Sequence, residues 1–373
     1  MDTTYQLTKK QGFLKKNIES FVKQNITPQV AETDAAGEFP REILKQLADN
    51  RLLRLLVPKE DGGEGASFLD FSLVLEGIAK VCPTSALICL IQNLGTRLLS
   101  KEGSSDQKDS YLSNLMSGDT VFGYVTPARE VLSLNLADTP VTFSIEEDRY
   151  VLDGSECHVI NGDAADLIFV FAKNEDTDCC LLVEKDATGL SVAKPEGFTG
   201  TEARCTSTAV LESCSVPEAS LLGRTGTGRE TATTMFCDAA AFTAALALGI
   251  GQGALNYAVQ YSKEREQFGM QIAKFQAIKV MLAEMDAKME TARHLVYKAA
   301  SDLDEKAKDR RRVCSIAKSF ASNMAMEASM NAVQVAGGYG YMKDYPLQKM
   351  MRAAQLTQIL HGSDHAHALS SAR

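Results

Sequence analysis

Tyr261-Ser-Lys-Glu-Arg-Glu-Gln-Phe-Gly269, Gln334-Val-Ala-Gly-Gly-Tyr-Gly-Tyr341 and Ile359-Leu-His-Gly-Ser363 are the stretches whose reading decides the fold of this 373-residue chain. The first closes a long apolar run with a charged turn and a glycine. The second ends a helical period in three glycines, a C-terminal stop followed by a turn. The third breaks at Gly362, and Ser363-Asp364 is suited to capping a new helix.

Working outward, 45% apolar and 23% charged residues describe a globular protein large enough for two or three domains. A net charge of -9, from 39 basic against 48 acidic side chains, disfavours nucleic acid and anionic membranes as partners. A small-molecule ligand is the better expectation. Nine cysteines, an odd count without a CxxC pair, argue against a secreted disulfide framework. The N-terminus has no apolar signal region, so a cytoplasmic protein is expected. The apolar stretch 239–255 is interrupted by Thr243, three glycines and Gln252, and reads as a buried helix rather than a membrane span.

Three zones follow from the periodicity. Residues 1–118 read as helical: Pro40 opens a run with Ile43, Leu44 and Leu47 at helical spacing, residues 58–65 make a glycine-rich turn, and Phe71 to Ile78 restart an amphipathic run. In residues 119–226 the period becomes two. Val141, Phe143 and Ile145 alternate with polar residues, 146–149 turns the chain, and Tyr150-Val-Leu152 runs into a turn expected at Asp153-Gly154. The runs 167–171 and 180–183 have strand length, giving a compact antiparallel β-domain. From 227 to 373 the helical period returns. Phe275, Ile278, Leu282, Met285, Met289, Ala292, Val296 and Ala299 form one stripe, and Ile316, Phe320, Met324 and Ala328 a second, as in a four-helix bundle.

The three quoted stretches, in this order and spacing, resemble the acyl-CoA dehydrogenase family, and the likeness covers nearly the whole chain. It implies an α+β fold with an N-terminal helical domain, a central antiparallel β-domain and a C-terminal four-helix bundle. It implies an FAD-dependent oxidoreductase acting on an acyl-CoA or acyl-carrier thioester, a tetramer, and an electron-transfer flavoprotein as electron acceptor. The segment containing Arg265, Gln267, Phe268 and Gly269 resembles the family's R-x-x-F-G, in which the arginine reaches the FAD pyrophosphate across a subunit interface and the phenylalanine lines the flavin site. A planar, permanently charged fork suits phosphate oxygens. Gln334, Gly337 and Gly338 resemble the patch that lies against the adenosine diphosphate end of FAD, where missing Cβ atoms allow close backbone approach. The resemblance is expected to place Arg265 of one protomer and the glycine pair of its neighbour on the same nucleotide. A half-formed dinucleotide fingerprint at 249–254 follows no strand and reads as close helix packing.

Two features depart from the family pattern. Where the family usually has Tyr-Glu-Gly-Thr, with the glutamate removing the α-proton, this chain has Leu360-His361-Gly362-Ser363. The alternative glutamate position, counted back from Tyr261, is Ala239. Near the flavin ring Thr126 is kept, but 127–130 diverge, and His158 with Ile160 stands where an aromatic residue and a threonine usually stand. Ser363 also falls on the cofactor side of the resemblance.

Three readings are open. His361 is the base, since an imidazole with a pKa near 6.5 is mostly neutral at pH 7. Alternatively the chain is a catalytically silent subunit of a hetero-oligomer, or it performs decarboxylation or β-elimination without a glutamate. Asp364 and Asp238 are the substitute bases. His361, Asp364, His365 and His367 crowd seven residues, but Gly362 and Ser363 break a helical metal face, so no metal is expected. His158 and His294 read as a packing residue and a solvated residue, and Cys179-Cys180 as strand filling.

Overall fold

Thr8 starts the first helix, because its hydroxyl accepts the amide of Gln11 while the Gln11 side chain accepts the amide of Thr8. The structure, a computed structural model, describes residues 7–126, 136–193 and 206–372. The longer N-terminal helices are α1 (Lys9–Phe21), α2 (Arg41–Asp49), α3 (Phe68–Ala79) and α4 (Pro83–Glu102), joined by shorter turns. Ser67 caps α3 by accepting the amide of Asp70 at 3.0 Å. The run expected to be amphipathic is buried nearly all round, Asp70, Ser72 and Glu76 included. Glu76 is tolerated there because Arg293 and the hydroxyl of Tyr297, at 2.6 Å, both donate to it. Burial pushes its carboxyl up, but the Arg293 and Lys80 charges outweigh this and hold it at about 2.

The central sheet follows the order β6-β7-β3-β1-β4-β5-β8, with β2 pairing β3 and β4. The strands are β1 (Phe122–Val125), β2 (Val141–Glu146), β3 (Arg149–Ile160), β4 (Leu167–Lys173), β5 (Asp178–Glu184), β6 (Leu190–Ala193), β7 (Thr206–Pro217) and β8 (Leu221–Leu222). Its pairings are antiparallel except β1 with β4 and β2 with β4. Alternation divides the side chains between two cores. Phe122, Tyr124, Phe169 and Leu182 face the helices, while Val125, Val159, Val170 and Val183 form a separate β core. The turn expected at Asp153-Gly154 is absent. β3 runs through it with shifted register against β7, and Asp153 accepts the amide of Ser213 at 2.8 Å there, so the Asp-Gly pair marks a bulge.

The C-terminal bundle comprises α5 (Gly228–Glu264), α6 (Gln276–Asp304), α7 (Arg310–Ala336) and α8 (Leu347–Ile359), followed by α9 (Asp364–Ser371). α5 is long and apolar enough to cross a membrane, but its apolar window is buried inside the protein. A Cβ on Gly249 would lie 2.5 Å from the Glu76 carbonyl, and one on Gly253 2.2 Å from that of Lys80, so these glycines let α5 touch α3. On α7 the buried seam is Cys314, Ala317, Ala321, Ala325, Ala328 and Ala332. Of the expected stripe, Ala328 lies on this seam, whereas Ile316, Phe320 and Met324 lie to one side and are half-buried, because alanines permit the closest approach to α5. Between α5 and α6 stands a hairpin of β9 (Glu266–Gln267) and β10 (Met270–Gln271), turning at Phe268-Gly269 with φ of 51° and 76°.

Candidate active site and nucleotide-binding face

His361 occupies the loop between α8 and α9 in the left-handed region, at φ 58°, followed by Gly362 at φ 98°. Only 6% of its surface is exposed. The Thr243 hydroxyl donates its one proton to the Ala239 carbonyl at 2.8 Å, so toward His361 Nδ1, 2.6 Å away, it accepts. Nδ1 is thereby assigned the ring proton, and Nε2 the lone pair, which accepts from the Tyr124 hydroxyl on β1. Phe236 packs edge-on against Tyr124, with centroids 5.6 Å apart. Burial, reinforced by the charges of Lys318 and His367, pulls the His361 imidazole down to about 3. It is neutral at pH 7, and both ring nitrogens are engaged.

The loop is fixed from beneath. His367 Nε2 lies 2.9 Å from the His361 carbonyl and donates to it, leaving Nδ1 to accept from Ser315 at 3.1 Å. Burial and Lys318 together lower His367 to about 4. Lys318, with no exposed surface, donates to the carbonyls of Gln358 (3.1 Å) and Gly362 (2.6 Å) and to Asp364 at 2.9 Å. Burial pulls this ammonium down to about 8 against the pull of Asp364. Asp364 accepts further from Ser322 at 2.6 Å and Asn323 at 2.8 Å. Every described partner of this carboxylate is a donor, so Asp364 anchors the start of α9 to α7. Ser363 is likewise a helix cap, accepting the Ala366 amide at 3.1 Å. Asp238, the other substitute base, is paired with Arg97 at 3.1 Å.

Ala239, the second base position, is buried one turn before Thr243. Thr126 is buried, and its amide donates to the carbonyl of His158 on β3 at 2.8 Å. The divergent segment 127–130 lies outside the described residues. No group of three His, Cys, Asp or Glu among the described residues is arranged to hold a metal. His294 is exposed, and Cys179 and Cys180 are buried in β5.

A second group gathers at the far end of α5. Arg265 ends that helix, and its guanidinium lies over the Tyr339 ring, 5.4 Å from the centroid. Tyr339 follows Gly337 and Gly338 directly, and a Cβ on either glycine would meet nothing within 4 Å. Gly337, at φ 59° and ψ -139°, donates its amide to the exposed Gln334 and holds a backbone shape open only to glycine. Phe268 projects from the hairpin tip, 91% exposed, beside the exposed Gln267. Arg265 and the glycines thus meet within one chain rather than across two. The 22 residues of α5 from Thr243 to Arg265 put this face roughly 33 Å from the His361 site.

Two family models match the two helical zones of the chain: the N-terminal domain of acyl-CoA dehydrogenase over residues 8–119 and the C-terminal domain over 226–373. An acyl-CoA dehydrogenase of Bacillus subtilis is 35% identical over 97% of both chains. Butyryl-CoA dehydrogenase from Megasphaera elsdenii superposes with a TM-score of 0.92 at 30% identity, covering 99% of each chain. A chain from the structure of the electron transferring flavoprotein of Acidaminococcus fermentans gives 0.93 at 33% identity, covering 100% of this chain and 99% of that one. This chain belongs to the acyl-CoA dehydrogenase family, whose members are FAD-dependent oxidoreductases acting on CH–CH donors.

The residues present fit the nucleotide end of FAD: an open glycine backbone beside an arginine that stands clear of any carboxylate among its described contacts. Sequence reasoning found His361, Arg265 and the glycines. It missed Tyr124, Thr243, Phe236 and Lys318, none of which belongs to a motif. The only available signal was that Tyr124 stands two residues before Thr126, on the same side of its strand.

Proposed function

We propose that this chain binds FAD and acts at Cα/Cβ of an acyl-CoA or acyl-carrier thioester, with an electron-transfer flavoprotein as electron acceptor. The observation that carries this reading is the neutral, buried His361, whose only lone pair, at Nε2, looks toward Tyr124 between the sheet and α5. Bound FAD supplies the hydride acceptor. Arg265 would hold its phosphates, and Gly337 and Gly338 admit the nucleotide to within contact of the backbone. Because this face stands roughly 33 Å along α5 from His361, one nucleotide touching both ends draws them from two subunits. The exposed Phe268 and Tyr341 beside it fit an interface in a tetramer or a hetero-oligomer.

Removal of an α-proton by His361 requires the Tyr124 hydroxyl to leave Nε2, and it creates an imidazolium where burial opposes one. The same hydrogen bond therefore favours a second reading, in which this chain is a silent subunit assembled with a related active one. An anaerobic visible spectrum with a panel of acyl-CoAs tests both. Bleaching of the flavin by the chain alone supports turnover; a yellow protein that bleaches only beside a co-purifying subunit supports the silent role. A colourless protein after reconstitution with FAD overturns the assignment.

A further inference from the structure

Three aromatic rings pack together at the Nε2 nitrogen of His361. Tyr124 and Phe236 have centroids 5.6 Å apart, Tyr124 and His361 5.7 Å, and Phe236 and His361 6.4 Å, all within the range of rings in contact. Each of the three is buried, Tyr124 most completely. The phenol of Tyr124 therefore fills the space that Nε2 faces, and any group that reacts there must share it. For a thioester that reacts at His361, the reading given above, we propose that Tyr124 is the wall that sets acyl length, so that the site takes short acyl groups and rejects long ones.

The wall is rigid because of where it stands. Tyr124 pairs with Ile160 on β3 and with Phe169 on β4, so its backbone is held from both sides in the middle of the sheet. Retreat of β1 is blocked as well. A Cβ on the preceding Gly123 would lie 2.7 Å from the Ile160 carbonyl, and one on Gly95 of α4 would run into the Phe122 ring, so the strand is wedged between β3 and α4. Swinging the Tyr124 ring aside would break its hydrogen bond to His361 and press the ring into a close-packed core. A small acyl group needs only the room beside the hydroxyl; each further methylene needs room that the ring holds.

The test measures binding of acetyl-CoA, butyryl-CoA and octanoyl-CoA to the full-length, FAD-reconstituted protein by isothermal titration calorimetry. Affinity should fall by at least about tenfold from butyryl-CoA to octanoyl-CoA, since a pocket that rejects even one methylene discriminates by that much. Tyr124→Ala should abolish the difference, and so should Tyr124→Val, which suits a strand and leaves a smaller gap. Tyr124→Phe, which keeps the ring, should retain it. Equal affinity for butyryl-CoA and octanoyl-CoA in the unaltered protein, or an unchanged ratio in both Tyr124→Ala and Tyr124→Val, would overturn the size limit. Failure of all three thioesters to bind any of these proteins would overturn the acyl-CoA reading itself, and the size limit with it.

Discussion

The hydroxyl of Tyr124 on β1 caps the lone pair of His361 at Nε2 and so ties the central sheet to the loop between α8 and α9. Removing that hydroxyl in Tyr124→Phe leaves a buried acceptor unsatisfied, at a cost of about 1–3 kcal/mol. The variant should unfold at lower denaturant while its flavin, with Nε2 uncovered, is bleached faster by acyl-CoA. Identical unfolding midpoints would show that the hydrogen bond contributes nothing.

His361→Glu returns a carboxylate to the position where the family usually has one. Burial raises the pKa of such a carboxyl and makes it a stronger base. Flavin reduction by an acyl-CoA should accelerate on the order of 10²–10⁴-fold, the range of a positioned general base. Stopped-flow absorbance measures this directly, and an unchanged rate would remove position 361 from proton transfer.

His361 and His367 bind protons in the folded chain only near pH 3 and 4, against about 6.5 when unfolded. The unfolded chain therefore holds more protons between these values. Stability from both groups is complete above about pH 6.5 and is lost as pH falls toward 4, by up to about 1.4 kcal/mol per pH unit for each histidine. Urea unfolding at pH 7 and pH 5 should show the loss, and His367→Gln should flatten it. A slope no different in the variant would contradict the assignment.

Lys318 supplies the one positive charge that Asp364 contacts in this buried cluster. Lys318→Met strands the carboxylate and the carbonyls of Gln358 and Gly362, and a broken buried pair costs about 3–5 kcal/mol. Chemical denaturation measures it; Asp364→Asn, which keeps an acceptor for Lys318, should cost less.

Gly337→Ala forces a side chain into a backbone region that only glycine occupies, a strain of order 1–3 kcal/mol. Arg265→Ala leaves the helix end otherwise intact. Both should purify with a reduced ratio of FAD to protein, measured from the flavin and protein absorbance bands. Full flavin occupancy in both would move the nucleotide away from this face.

The change of hydrophobic period from 3.6 to 2 and back made the helix, sheet and bundle order legible, because burial of one stripe or one face imposes it locally. It was less informative on α7, where alanines rather than the larger Ile316, Phe320 and Met324 form the seam: size, not hydropathy, sets how closely helices approach. Asp153-Gly154 misled for a similar reason. A flexible pair serves a bulge as readily as a turn, and only pairing with β7 distinguishes them.

The amino-acid sequence alone determined the family, the helical and sheet zones, and the positions of His361, Arg265 and the two glycines, since these are carried by short motifs and local periodicity. The folded structure decided what His361 is. Tyr124 and Thr243, which set its tautomer, stand more than 100 residues away along the chain. Lys318, which opposes its charge, reaches it from another helix. Burial and long-range hydrogen bonds fix a proton's place, and neither is written in the spacing of neighbouring residues. Rigid α5 likewise decided that the arginine and glycines share one face of a chain, roughly 33 Å from the histidine.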